Sequence, residues 1–217
     1  MYKKLLLVCV SVITIQTVKA QTEKGSQMLG ASFSIMTLSS DSKSFDSGSS
    51  TYGPNYHGNV NRYAVTPNYS YFIADKLDLG VSVGYLYNHQ KYDNEQLYNI
   101  NAYKERGYNA SLYLRKYFLY DNKVGVRTGP YLSYQRSNIT QSYNENADNV
   151  NKSNQYTGGV GLDFVYFPVK RLGLSAVMGN LNYSRQTYTG STEGSSNNFN
   201  LAFANSLILS VNYVFGH

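Results

Sequence analysis

Three histidines, His57, His89 and His217, are the only side chains of this 217-residue chain whose ordinary pKa suits proton transfer near neutrality. A nucleophile or an activated water would need such a base within hydrogen-bond reach. His57 is followed by Gly58-Asn59 and His89 by Gln90-Lys91 in polar surroundings, so both read as solvated histidines at loop edges, and His217 is terminal. The cluster Gly158-Gly159-Val160-Gly161 lacks the Lys-Ser/Thr of a phosphate loop, and no His, Cys or carboxylate spacing matches a metal site. The expectation is therefore no catalytic residue, no cofactor and no metal. Arg115, Arg127 and Asp163 stand apart, because each interrupts a stretch otherwise dominated by apolar and small residues. A charge in such a place is costly unless it is paired. What these three can do depends on the elements that hold them.

Residues 1–20 are set aside first. Met1-Tyr2-Lys3-Lys4 is a basic start, Leu5 to Ile15 is an apolar run too short to span a bilayer, and Val18-Lys19-Ala20 offers a cleavage site. The expected cut falls between Ala20 and Gln21, which leaves residues 21–217 as one exported domain. Cys9 is the single cysteine and leaves with the leader; Val8 before it does not suit a lipid-attachment box. The remaining domain has neither disulfide nor thiol. Loss of Lys3, Lys4 and Lys19 leaves 16 Lys and Arg against 13 Asp and Glu, a formal charge of +3. So weak a positive balance gives no support for a nucleic-acid partner.

The domain is rich in residues that favour pleated surfaces, with 23 Tyr and 9 Phe, and only 15% of the chain is charged. Its apolar residues recur at every second position. Leu29, Ala31, Phe33 and Ile35 share one face of a first strand (27–37), and Tyr63, Val65, Pro67, Tyr69, Tyr71 and Ile73 one face of a second (60–74). A third strand begins after a tight Ala-Asp-Lys turn, and similar turns near residues 121 and 170 join strands four to five and six to seven. An eighth strand closes the chain from about Phe199 to Phe215, with Asn205 as a polar marker at the far edge of its apolar row. Between these hairpins lie four long stretches rich in Ser, Asn, Asp, Gly and Tyr, which read as loops by composition. Short turns at one end, long loops at the other and an even number of long alternating strands are the pattern of a spanning barrel. The fold expected is all-β, an eight-stranded antiparallel up-and-down transmembrane β-barrel.

Alternation alone also suits a soluble barrel with an apolar interior. The second row of residues separates the two: Gly80, Ser82, Gly84, Gly125, Gly129, Gly159, Gly161 and Ala202 are too small and too rarely charged for a water-facing surface. They suit the cramped lumen of an eight-stranded barrel, which side chains fill. Arg115, Arg127 and Asp163 belong to that row and are expected to pair there as a structural plug. Pro67 and Pro130 fall on the apolar row in mid-strand, where bulges are expected to absorb them.

The segments Pro67 to Tyr87, Ser111 to Phe118, Gly158 to Leu174, Gly179 to Ser184 and the terminal Leu-Ser-Val-Asn-Tyr-Val-Phe resemble the small outer-membrane β-barrel domain family, of the OmpX and OmpA transmembrane-domain kind, in its Bacteroidota form. The resemblance implies a monomer in contact with outer-membrane lipid and lipopolysaccharide, inserted by the outer-membrane assembly machinery. In that family the machinery reads an aromatic-ended last strand, which Leu209, Val211, Tyr213 and Phe215 match, although Gly216-His217 trail beyond it. The role implied is structural or interactive, with the loops as the surface for an extracellular ligand. Two alternatives remain open: a barrel enzyme that modifies lipid A, whose deacylase form resembles a His-x-Ser pair absent here, and a minor small-solute pore.

Overall fold

The computed structural model describes residues 21–46, 51–92, 100–143, 148–191, 193–203 and 208–215. The expected leader, Asn205 and His217 lie outside them. The chain order is β1 (Gln27–Asp46), β2 (Thr51–Ala74), β3 (Leu77–Tyr92), β4 (Ile100–Tyr120), β5 (Val124–Tyr143), β6 (Asn149–Val169), β7 (Leu172–Gly190), β8 (Gly194–Phe203) and β9 (Leu209–Phe215). All pairings are antiparallel. They run β1 through β7 in order, then β7 to β9 and β9 to β1, so the sheet returns on itself as a ring of eight strand positions. With that closure no strand in the lower wall is left with an edge facing lipid.

Two expectations about the closing strand and the prolines need correction. The eighth strand is two, β8 and β9, sharing one place in the wall. β8 pairs with β7 as far as Phe203–Gly179 and β9 from Leu209–Ala176, so the two ladders differ in register by three residues; residues 204–207 between them lie outside the described residues. β7 itself shifts register opposite Leu162 and Asp163, which flips its outward parity from Leu174 below to Leu181 above. Pro67 and Pro130, by contrast, cause no bulge. The β2–β3 ladder lapses between the pairs Val65–Tyr85 and Asn68–Ser82, and the β4–β5 ladder between Tyr113–Tyr131 and Lys116–Thr128, without loss of register. Each proline removes one donor, and the sheet tolerates the gap because the proline's other flank, at Ala31 or Val160, stays paired.

The polar stretches read as loops are largely strand. β1 and β2 pair as far as Asp46–Thr51, and β5 and β6 continue to Gln141–Asn149. Their Thr, Tyr and Ser residues hold a ladder well. Composition identified the solvated segments, not their backbone. At the opposite end the turns are tight: Lys76, Asp121 and Asn122 adopt φ of 60°, 49° and 52°, and Lys123 N–H donates to the Tyr120 carbonyl at 3.0 Å. Consecutive left-handed residues give the twist that a hairpin needs, and Asp and Asn tolerate that conformation.

Side-chain direction follows the expected parity. The outward row is apolar and exposed, with Phe33, Val83, Leu112, Leu132, Val160 and Leu209 across its middle. Aromatic residues flank that middle. Tyr71, Phe118, Tyr166 and Tyr213 lie toward the tight turns; Tyr63, Tyr87, Tyr108, Tyr134, Tyr156 and Tyr183 lie toward the long hairpins. Rings touch there: Tyr134 and Tyr156 have ring centroids 5.0 Å apart, and Tyr108 lies 5.3 Å from Tyr85, one step below the group. An aliphatic band between two aromatic girdles is the exterior of a barrel that crosses a membrane.

Candidate functional site

The inward row builds three layers. The lowest is apolar: Met28, Phe72, Val165, Phe167 and Val214 pack with the ring of Tyr117, and Leu119 leans against them. Beneath it residues 21–26 fold under the barrel. Gly25 N–H donates to the Phe72 carbonyl at 2.9 Å and Lys76 N–H to the Thr22 carbonyl at 2.7 Å, and Gln21 and Thr22 are buried.

The middle layer holds the charges. Asp78 and Arg115 are directly opposite on β3 and β4, as are Arg127 and Asp163 on β5 and β6. Arg115 forks onto Asp78, Nε to Oδ1 at 3.1 Å and Nη2 to Oδ2 at 2.6 Å, and its guanidinium lies 3.8 Å from the Tyr113 ring centroid. Arg127 Nε donates to Asp163 Oδ2 at 2.7 Å. Tyr117 joins the two pairs: its hydroxyl donates to Asp78 Oδ2 at 3.0 Å and accepts from Arg127 Nη1 at 3.2 Å. Arg127 Nη2 reaches Ser175 Oγ at 3.1 Å, and Asn212 donates to the same oxygen at 3.4 Å. The layer thus crosses from β3 to β9, carries two positive and two negative charges, and leaves Asp78 with 0% side-chain exposure. Buried charges satisfied in this way are costly to separate.

Sequence reasoning singled out Arg115, Arg127 and Asp163 as one cluster. The structure brings Arg127 and Asp163 together and gives Arg115 a different partner, Asp78. Asp78, Tyr117, Ser175 and Asn212 were missed. Asp78 follows a tight turn and looks like a turn acid, but Leu77 and Leu79 beside it leave it on the inward row, next to Gly80 by one step of two. That parity was a usable signal. Tyr117 carried none, because a tyrosine among many gives no hint that its hydroxyl bridges two ion pairs.

Above the charges lies a cavity of about 310 Å³, lined by Ser82, Ser111, Tyr131, Asn180 and the upper sides of Arg115 and Arg127. It offers polar contacts, and among the described residues its lining brings no nucleophile and base together. At the outer rim Tyr103 donates to Glu105 at 3.2 Å; burial first, then that carboxylate, push its hydroxyl above the ordinary phenol range.

The two described histidines, His57 and His89, do not converge. His57 Nδ1 lies 2.6 Å from Asp41 Oδ1 in an exposed pair on the β1–β2 hairpin. His89 sits on the outward row of β3 with its ring 6.3 Å from that of Tyr87. Among the described residues no group of three or more His, Cys, Asp or Glu could hold a metal ion. The row Leu209, Val211, Tyr213 and Phe215 faces outward and pairs residue by residue with Phe33, Ala31, Leu29 and Gln27.

No protein-family model and no curated protein matches the chain. Among solved structures it is similar to the outer membrane protein OprG of Pseudomonas aeruginosa (12% identity, 92% of this chain and 100% of that one, TM-score 0.49). It is also similar to the N-terminal β-barrel domain of OprF from the same organism (16%, 91% and 100%, TM-score 0.37) and to Ail, the attachment invasion locus protein of Yersinia pestis (12%, 88% and 99%, TM-score 0.42).

Proposed function

We propose that this outer-membrane barrel, exported with its leader removed between Ala20 and Gln21, works at its projecting hairpins, while the lumen serves as a plug. The observation that carries this reading is the contrast between the two ends. The tight-turn end is closed by residues 21–26, the apolar layer and a fully paired charge layer. The other end extends the β1–β2 pair to Asp46–Thr51 and the β5–β6 pair, flanked by β4 and β7, to Gln141–Asn149, and these segments are rich in Tyr, Ser and Asn, residue types that supply contact area and adaptable hydrogen bonds. A neutral network in an eight-stranded barrel supports a plug over a pore. The absence of a converging base and nucleophile among the described residues gives the lipid A enzyme reading no geometric support. The outward, aromatic-ended row of β9 is consistent with a signal read by the assembly machinery, and the barrel is expected to be a monomer.

The test is to replace the tips of the β1–β2 and β5–β6 hairpins with short Asn-Gly turns in the expressed protein. Adhesion of intact cells to surfaces coated with extracellular-matrix proteins is then compared with that of cells carrying the full barrel. Loss of adhesion with retained membrane insertion supports the reading. Adhesion that is unchanged, or absent even with full hairpins, counts against it.

A further inference from the structure

The outward face is not uniform around the barrel. Across β3 to β7 it carries a trough of about 710 Å³, with Ala110 and Gly158 as its floor between the ridges of Leu112, Leu132, Tyr134 and Tyr156. The trough follows the ladder direction, and ladders in a tilted barrel climb. A strand residue rises about 2.5 Å along the barrel axis. The lower end, at Val81 a few residues above Leu77, is therefore about 10 Å from the tight-turn rim, and the upper end, at Arg185, about 30 Å. The trough thus runs from near mid-membrane to the outer headgroups.

Charge marks its upper end. Arg185 on β7 and Arg136 on β5 are both exposed and reach the same height, about 30 Å above that rim, and two strand spacings place them about 10 Å apart. Arg106 and Lys152 stand higher on the same wall and are exposed. Among the described residues no carboxylate pairs with Arg136, Lys152 or Arg185. On the opposite wall at this height, the outward residues Thr37 of β1 and Tyr63 of β2 are uncharged.

We infer that this wall is a seat for one anionic, phosphate-bearing acyl lipid of the outer leaflet, its chain in the trough and its phosphate between Arg136 and Arg185. The inference rests on the membrane orientation given under Proposed function, with the polar hairpins outermost. An apolar trough that ends in unpaired guanidinium groups matches a ligand with acyl chains and a charged head, since Arg engages phosphate oxygens bidentately. A second copy of this barrel fits less well, because a two-fold contact through the patch would oppose like charges.

The experiment uses the full barrel refolded into phosphatidylcholine vesicles doped with lipid A or with its dephosphorylated form, released gently and weighed by native mass spectrometry. One lipid A retained per barrel is expected, with the dephosphorylated form retained far less. The double variant Arg136→Gln/Arg185→Gln is expected to weaken retention roughly thirtyfold, about fivefold per arginine. Gly158→Leu, which fills the trough without changing charge, is expected to weaken it as well. Equal retention of the two lipids, or retention that neither variant changes, would overturn the seat, as would a dimer in place of the lipid adduct. The comparison of the two lipids on the unaltered protein needs no variant to fold. Each sample is also run unboiled on a gel: a missing compact band in the unaltered protein refutes the barrel itself, whereas a compact band with indiscriminate retention refutes only the lipid seat.

Discussion

Arg127→Leu tests the charge layer directly. In the folded barrel Arg127 is 6% exposed and donates to Asp163, Tyr117 and Ser175. Removing it strands the Asp163 carboxylate, 19% exposed, and takes one partner from a tyrosine that also holds Asp78. Breaking a buried ion pair from one side costs about 3 to 5 kcal/mol, and the partial exposure of Asp163 places the expected loss near the lower figure, about 3 kcal/mol. The double change Arg127→Leu/Asp163→Leu leaves no orphaned charge at that pair and should recover most of that loss, because replacing both partners by apolar groups of similar volume is often neutral. The assay is urea unfolding of the refolded barrel in vesicles, followed by the fraction that migrates as the compact band. The chain has no Trp, so gel mobility is the more direct readout. A single variant that loses less than about 1 kcal/mol, or a double variant that loses as much as the single, would refute the claim that the layer is held by paired charges.

Three further changes probe other parts of the structure. Leu209→Arg places a charge on the outward row near mid-membrane and should cost about 2 to 4 kcal/mol in the same unfolding assay; a loss below about 1 kcal/mol would argue that Leu209 does not face lipid. Gly80→Val should cost about 1 to 3 kcal/mol, because a Cβ there meets the Tyr113 ring and lies 2.6 Å from Ser70 Cβ, and an unchanged urea midpoint would count against that packing. In planar bilayers the intact barrel should give no stable single-channel steps, whereas steps that alter when Asp163 is neutralised would favour the pore reading.

Much of the wall was legible because a strand's period is two and lipid demands one apolar face. Leu29, Val81, Leu112 and Leu209 declared that face, and the turns at Asp75-Lys76, Asp121-Asn122 and Lys170-Arg171 announced where strands reverse. The break between β8 and β9 was not legible, since the odd-numbered row remains apolar on both sides of it and only the pairing with β7 exposes the mismatch. Hairpin length was also hidden, because Ser and Asn in a water-exposed ribbon look like Ser and Asn in a loop. Within the lumen, parity reached Arg127 and Asp163 but could not choose partners. Whether Arg115 meets Asp78 or Asp163 depends on register, which is set by turns and bulges that the alternation does not reveal.

The central claim is a closed barrel embedded in the outer membrane. Cell fractionation, with each fraction run boiled and unboiled on one gel, tests it most directly. The account requires the protein in the outer-membrane fraction with a compact band that shifts on heating. Recovery in the soluble periplasmic fraction, or migration that heating does not change, would contradict it.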